Sequence, residues 1–504
     1  MYNCRRVSPR AVDVWTRRRQ QPMSAPDTFD LIVIGGGPAG STASTLVARQ
    51  GHKVLLLEKE RFPRYQIGES LLPLTVHGIC PMLGVMDEIK QADFVPKFGG
   101  VFRWGTREEP WHFTFGTVRD LENAGAGYAY QVERSRFDRI LLNNARRCGV
   151  DVREQHAVTH PLLDDDGRVI GVRFRDASRR VRTARARFVI DASGNTSPLH
   201  QHVGRRIYSQ FFRNVALFCY FQNAERMPGD QAGSVLSAAF DEGWFWFIPL
   251  SDRLTSVGAV IAREHADTLQ QDHESAMQAF IDACPLIRKL LTPATRVTEG
   301  PYGRFRVRRD YSYTTSHFWR PGVVLIGDAA CFVDPIFSSG VHLATYSALL
   351  AARSINTVLR GDVDEARAFT EFERRYRAEF ENFYGFLVSF YDVHQDERSY
   401  FWRARKILNT TERANEAFVR LISGFSTVES TIFETASRVS AQMKAFERSG
   451  SRDALGRIEE LGRPNPRAIR VTGQTNESGP PETPRWPGGL VTSRDGFHWT
   501  TPTG

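Results

Sequence analysis

The segment that most restricts this chain is Phe29–Gly40, FDLIVIGGGPAG. A short apolar run with β character, Phe29–Ile34, breaks at three glycines, and Ser41–Arg49 then reads as a helix with Gly51 as its stop. Lys53–Leu57 is a second apolar strand, ending at Glu58. Strand, glycine loop, helix and acid-tipped strand form the start of a dinucleotide-binding βαβ unit. Each residue has a task. Gly35 permits the tight turn, Gly37 lets backbone approach a diphosphate, and Gly40 allows close helix–strand packing. Pro38 and Ala39 open the helix, whose free N–H groups attract phosphate. Glu58, followed by Lys59, can accept hydrogen bonds from ribose hydroxyls.

Far down the chain Val323–Ile326 is another apolar strand, running into Gly327-Asp328-Ala329-Ala330 and then Asp334-Pro335. An Asp between strand end and helix fits a contact to the ribityl–phosphate part of a flavin, which an enzyme using only NAD does not need. FAD is therefore the expected cofactor. No second GxGxxG announces a separate nicotinamide site.

The net charge of +9 does not point to nucleic acid. Residues 1–20 hold Arg5, Arg6, Arg10, Arg17, Arg18 and Arg19 against Asp13, and carry over half of the excess. They read as a disordered tail over 1–27, with Met23 as an alternative start. No run approaches the roughly 18 apolar residues of a membrane helix. The six cysteines are scattered without CxxC or metal spacing, so reduced thiols, a cytoplasmic location and no metal are expected.

The organisation expected is α/β, with a Rossmann-type FAD-binding domain over 28–205 and 300–360. A substrate-side antiparallel sheet domain spans 80–130 and 206–299, where aromatic and polar positions alternate. A helical region follows over 361–448. Residues 449–504 form a linker, rich in Arg, Gly, Pro, Glu and Ser, and a terminal segment with Trp486, Phe497 and Trp499 that can dock back on the body.

Several motifs in the same order resemble a known family. The glycine loop, Gln131–Phe137 (QVERSRF) and Gly327–Pro335 (GDAACFVDP) are similar to the flavin hydroxylase superfamily, whose FAD domain is glutathione-reductase-like. Gly243–Pro249 (GWFWFIP) resembles the WxWxIP pattern of flavin-dependent halogenases, and Phe62–Pro73 (FPRYQIGESLLP) resembles the loop those enzymes lay against flavin. The resemblance is to the phenolic or tyrosyl halogenases of non-ribosomal peptide biosynthesis, of the glycopeptide-antibiotic and chondrochloren types.

That resemblance implies a reaction of FADH2, oxygen and chloride, through a flavin hydroperoxide and hypochlorous acid handed to a lysine. The matching lysine is Lys97, in Pro96-Lys97-Phe98-Gly99-Gly100. Burial would lower its pKa. A neutral amine would capture the chlorine, whereas an ammonium would hydrogen-bond hypochlorous acid, and both readings stay open. Trp244, Trp246 and Pro249 would keep flavin and substrate apart. Ser338, Ser339 and Gly340 would hold chloride with successive backbone N–H groups. Arg64, Ile67, Gly68, Ser70, Arg134, Asp328, Pro335 and Gly340 would line the flavin. Phe337 stands where indole-type halogenases carry Glu, which argues against free tryptophan as substrate. His342 is expected as a packed or capping histidine. The implied partners are a flavin reductase and a peptidyl carrier protein bearing the phenol. The alternatives are a flavin monooxygenase of the same fold, and a flavoprotein without turnover that recruits a partner.

Overall fold

In this computed structural model, residues 27–438 and 489–502 are described, apart from 106–107, 119–120, 123–124, 271, 310–311, 393–396, 409, 411, 426–431, 433–434 and 437. Of the tail expected over 1–27, all but Asp27, which opens the first strand, lies outside the described residues, as does the linker up to 488.

The first layer is the parallel sheet that the glycine loop foretells. Its strands run in the order Val323–Leu325, Val181–Asp191, Asp27–Ile34, Val54–Glu58, Asp151–Glu154, all parallel. Trp319–Arg320 closes one edge antiparallel, and the hairpin Ala157–Leu163/Val169–Arg175 extends Val181–Asp191. Parallel strands must be covered on both faces, so they read as continuous apolar runs, and all five residues of Val54–Glu58 are buried. Helices Pro38–Ala48 and Ser339–Arg360 belong to this layer.

The second sheet is built from Asn214–Gln222, Leu254–Ala262, Gly243–Pro249, Val235–Phe240, Gly99–Arg103 and Trp111–Thr114, with Thr295–Arg296 and Arg306–Arg309 also on Asn214–Gln222. It is antiparallel except where Val235–Phe240 meets Gly99–Arg103. The boundary drawn at 300 therefore moves: Arg306–Arg309 belongs to this sheet. Within 206–299, helices His273–Ala283 and Pro285–Leu290 join the strands, and cover the sheet's outer face.

Strand period sorts the side chains of Gly243–Pro249. Trp244, Trp246 and Ile248 join the main core, while Phe245 and Phe247 join a separate outer core with Phe280 and Ile287. Helices Glu365–Phe390, Glu397–Leu408 and Ala414–Ile422 cap the assembly. The described part of the C-terminal segment packs against the helix Ser339–Arg360. Trp499 is fully buried, its Nε1 donates to Ser354 Oγ at 2.9 Å, and its backbone N–H donates to Thr357 Oγ1 at 2.8 Å.

Candidate active site

An elongated cavity of about 480 Å³ opens between the two sheets. Of the residues singled out in the sequence, Gly35, Gly37, Pro38, Ala39, Glu58, Lys59, Arg64, Ile67, Gly68, Ser70, Arg134, Trp244, Trp246, Asp328, Pro335, Ser338 and Gly340 line it. Gly40, Lys97, Pro249 and Ser339 do not.

The glycine loop is set by close approach. Gly35 has φ +99° and lies so near the Ala192 carbonyl that a Cβ would sit 2.6 Å from it. A Cβ on Gly40 would sit 1.9 Å from the Gly35 carbonyl, so Gly40 packs the helix without touching the cavity. Gly37 is the reverse: a Cβ would meet only the Arg64 guanidinium, at 3.3 Å, which leaves its face open to a diphosphate. Glu58, expected as a ribose acceptor, has a structural role as well. Its Oε2 accepts from the Gly36 N–H at 2.6 Å and its Oε1 from the Glu60 N–H at 2.8 Å, so it also fixes the loop.

Two arginines are aimed into the cavity by a residue the motifs did not reveal. Asp138 Oδ2 accepts from Arg64 Nη1 at 3.0 Å and from Arg134 Nη2 at 2.9 Å, and Oδ1 accepts from Arg134 Nε at 2.7 Å. Arg134 Nη1 donates to the Ile67 carbonyl at 2.6 Å, pinning the loop that carries Gly68. The i,i+4 spacing of Arg134 and Asp138 on one helix was the available signal. Asp328 is held at about 6, above the ordinary carboxylate range, because burial outweighs the pull of Arg134, Arg308 and Arg206. The open face of Gly37, the pinned arginines and the unpartnered Ser70 Oγ and Ser237 Oγ fit FAD. Gly35–Ala39 would hold its diphosphate at the helix N-terminus.

Lys97 is 2 % exposed and sits in the wall beside the cavity. Its Nζ donates to the Leu71 carbonyl at 3.0 Å, one residue past Ser70, and lies 5.4 Å from the centre of the Phe115 ring. No salt bridge to it occurs among the described residues. Burial alone pulls its ammonium down to about 7.

Trp244 and Trp246 form the far wall. Trp244 Nε1 donates to Tyr391 OH at 2.7 Å, and Trp246 Nε1 to Ser256 Oγ at 3.2 Å. Pro249 is buried where its strand pairs with Thr255 and is no part of this wall. Ser338 takes φ +59°, and its N–H donates to the Pro335 carbonyl at 2.8 Å. It is thus not a free donor, contrary to expectation. Ser339 and Gly340 open the helix Ser339–Arg360, where N–H groups lack intrahelical acceptors.

Phe337 lies among aromatic rings: it stacks on Phe386 at 5.2 Å and meets Phe390 edge-on at 4.7 Å and Phe102 at 6.1 Å. The part played by Phe386, Phe390 and Tyr391 was not legible, because no motif marks the helix Glu365–Phe390 or the residue that ends it. His342 is buried, as expected of a packed histidine, with Nε2 2.7 Å from Glu379 Oε1. Among the described residues no cluster of His, Cys, Asp and Glu could hold a metal, and no helix is long and apolar enough to cross a membrane.

A glycine loop open to a diphosphate, a cavity beside it and a tryptophan wall from the second sheet define the frame of a flavoprotein. The tryptophan halogenase family profile matches residues 30–125 and 119–447. The chain is 35 % identical over 388 residues to a tryptophan 2-halogenase of Chondromyces crocatus, covering 76 % of this chain and 72 % of that protein. It is 31 % identical to the 1H-pyrrole-2-carbonyl-[peptidyl-carrier protein] chlorinase of Pseudomonas fluorescens, covering 72 % and 83 %. Among solved structures, the myxobacterial chondrochloren halogenase CndH is 53 % identical with a TM-score of 0.74, covering 94 % of this chain and 100 % of that one. CmlS, a flavin-dependent halogenase, is 29 % identical with a TM-score of 0.70, covering 94 % and 84 %. This chain belongs to the flavin-dependent halogenases, enzymes that use FAD to halogenate a substrate.

Proposed function

We propose that the enzyme chlorinates a phenolic, tyrosyl-type ring held on a peptidyl carrier protein. The observation that carries this reading is Lys97, sealed in the wall beside the cavity with its Nζ donating to the Leu71 carbonyl. FAD, when bound and reduced, would supply two electrons to oxygen, with chloride supplying two more and one further proton completing hypochlorous acid and water. Gly35, Gly37, Pro38 and Ala39 would grip the cofactor's diphosphate, with Arg64 and Arg134 supplying positive charge. Trp244 and Trp246 keep the arene from the flavin. Ser339 and Gly340 offer chloride their backbone N–H groups.

Lys97 receives the hypochlorous acid. With its ammonium near 7, both forms are present at neutral pH, so hydrogen bonding and capture are both open to it. A phenol directs an electrophile ortho to its hydroxyl without an added acid. The aromatic packing around Phe337 is consistent with that, since a phenylalanine and not a carboxylate occupies this position. The carrier-bound form draws support from the pyrrolyl relative, whose name describes a carrier-bound substrate. A flavin reductase supplies FADH2.

The test is incubation of the enzyme with a reductase, chloride and tyrosyl-carrier proteins, read by intact-protein mass spectrometry. Replacement of hydrogen by chlorine, lost in Lys97→Ala while flavin oxidation continues, is the expected result. Chlorination that survives Lys97→Ala would remove the role given to this residue. Oxygen insertion without chloride dependence would favour the monooxygenase alternative.

A further inference from the structure

Three side chains that the halogenation site does not use are joined by hydrogen bonds in the cavity wall. Glu69 lies on the wall and is 1 % exposed. Tyr220 OH, fully buried, donates to Glu69 Oε1 at 2.9 Å. Tyr65 OH stands 2.8 Å from Tyr220 OH, and Tyr65 is part-buried and, like Glu69, lines the cavity. A continuous hydrogen-bonded chain thus links a sealed carboxyl to a part-buried tyrosine at another point of the cavity wall.

The surroundings favour a proton on Glu69. Arg134 is committed to Asp138 and the Ile67 carbonyl, and no salt bridge to Glu69 occurs among the described residues. Ser256 and Tyr220 favour its charged form, as does Arg134 at longer range, while Glu133 opposes it. Burial outweighs these and pushes the carboxyl up to about 7. Around Tyr65, the Arg306 guanidinium lies 3.6 Å from the ring centre, and Tyr302 meets the ring edge-on while donating to Glu133 Oε2 at 2.8 Å.

The chemistry needs a proton at this place. Chloride enters as an anion and leaves as neutral hypochlorous acid. FADH2, oxygen and chloride balance to FAD, hypochlorous acid and water only when one further proton is added. The later chlorination of the arene, which yields water, adds none. In a cavity filled by FAD, that proton needs a route through the protein.

We propose that Glu69, Tyr220 and Tyr65 form a proton path that delivers this proton to the cavity, a role that rests on the halogenase reading. Glu69 releases its carboxyl proton into the cavity. The Tyr220 hydroxyl proton moves to Glu69, that of Tyr65 moves to Tyr220, and solvent reprotonates Tyr65. No electrons move and the path returns to its starting state.

The test uses the full chain with Glu69→Gln, Tyr220→Phe and Tyr65→Phe. Infrared spectroscopy of the FAD-free and FAD-loaded protein reads the carbonyl band of a protonated carboxyl. In the wild type this band is expected to vanish as pH rises through about 7, and to be missing from Glu69→Gln. Hypochlorous acid is then trapped with taurine, with no arene present. Its formation is expected to slow about 10-fold or more in each Phe variant, and to recover when a small buffer acid such as imidazolium is added. A neutral-pH carbonyl titration that persists in Glu69→Gln overturns the path. So do wild-type trapping rates in both Phe variants, because their rings keep the packing and lack only the hydroxyls. A wild-type enzyme that forms no taurine chloramine overturns the halogenase reading and the path with it. Chloramine formation with unaffected variants overturns the path alone.

Discussion

The two ends of the cavity are built by opposite means. The diphosphate end is backbone: one loop, Gly35–Gly40, shaped by close approaches and fixed by Glu58 on the neighbouring strand. The proposed reacting end is side chains gathered from distant segments in and beside the cavity: Lys97, the Trp244–Trp246 wall, the start of the helix at Ser339 and the rings around Phe337. A single loop can be recognised from its own residues. A gathering of remote side chains shows itself only when the fold brings them together.

This contrast can be broken at each end. The largest effect is expected at the lysine. Lys97→Ala should lower chlorination on the order of 1,000-fold with FAD affinity unchanged, measured by product yield and by flavin fluorescence. Equal losses of both would mean that the two ends are not separable.

The stability of Lys97 variants sharpens the same point. Because the folded-state pKa is depressed to about 7 from 10.5, the unfolded chain binds more protons between those values. Stability is then expected to rise with pH across that window. Lys97→Met, which buries no charge, is expected to be more stable at pH 7 by on the order of 3–5 kcal/mol and to lose this rise. Denaturant titrations at several pH values check it.

Asp138 tests the joint between the ends. Asp138→Ala leaves two guanidinium groups without their shared partner and is expected to cost about 3–5 kcal/mol, with weaker FAD binding, read by thermal unfolding and flavin titration. The glycine loop gives the smallest and most selective pair. Gly40→Ala, whose Cβ would meet the Gly35 carbonyl at 1.9 Å, is expected to destabilise the fold by roughly 1–3 kcal/mol or more. Gly37→Ala, which meets only a flexible arginine, is expected to leave stability intact and weaken FAD binding. Reversed outcomes would exchange the roles given to the two glycines.

Much of the nucleotide half was legible because its signals are local. Strand, glycine loop, helix and Glu58 follow one another in the chain. The WFWF run was legible as a motif, yet its alternation was hidden. Both faces of that strand are buried, so Trp244 and Trp246 reach the cavity while Phe245 and Phe247 fill another core. Pro249 and Ser339 shared motifs with cavity residues but do not line the cavity, since neighbours in sequence need not share a surface. Ser338 was a poor choice of donor because its left-handed turn spends its N–H on Pro335. Asp138, Glu69 and Tyr220 were overlooked. Their partners are residues whose proximity is set by the fold, and only the Arg134–Asp138 spacing carried a local trace.

The most direct measurement is intact-protein mass spectrometry of a tyrosyl-carrier protein after incubation with the enzyme, a flavin reductase, oxygen and chloride. The account predicts a chlorine isotope pattern on the carrier-bound ring with wild-type enzyme and none with Lys97→Ala, while both oxidise FADH2. Equal chlorination by the two proteins would contradict it.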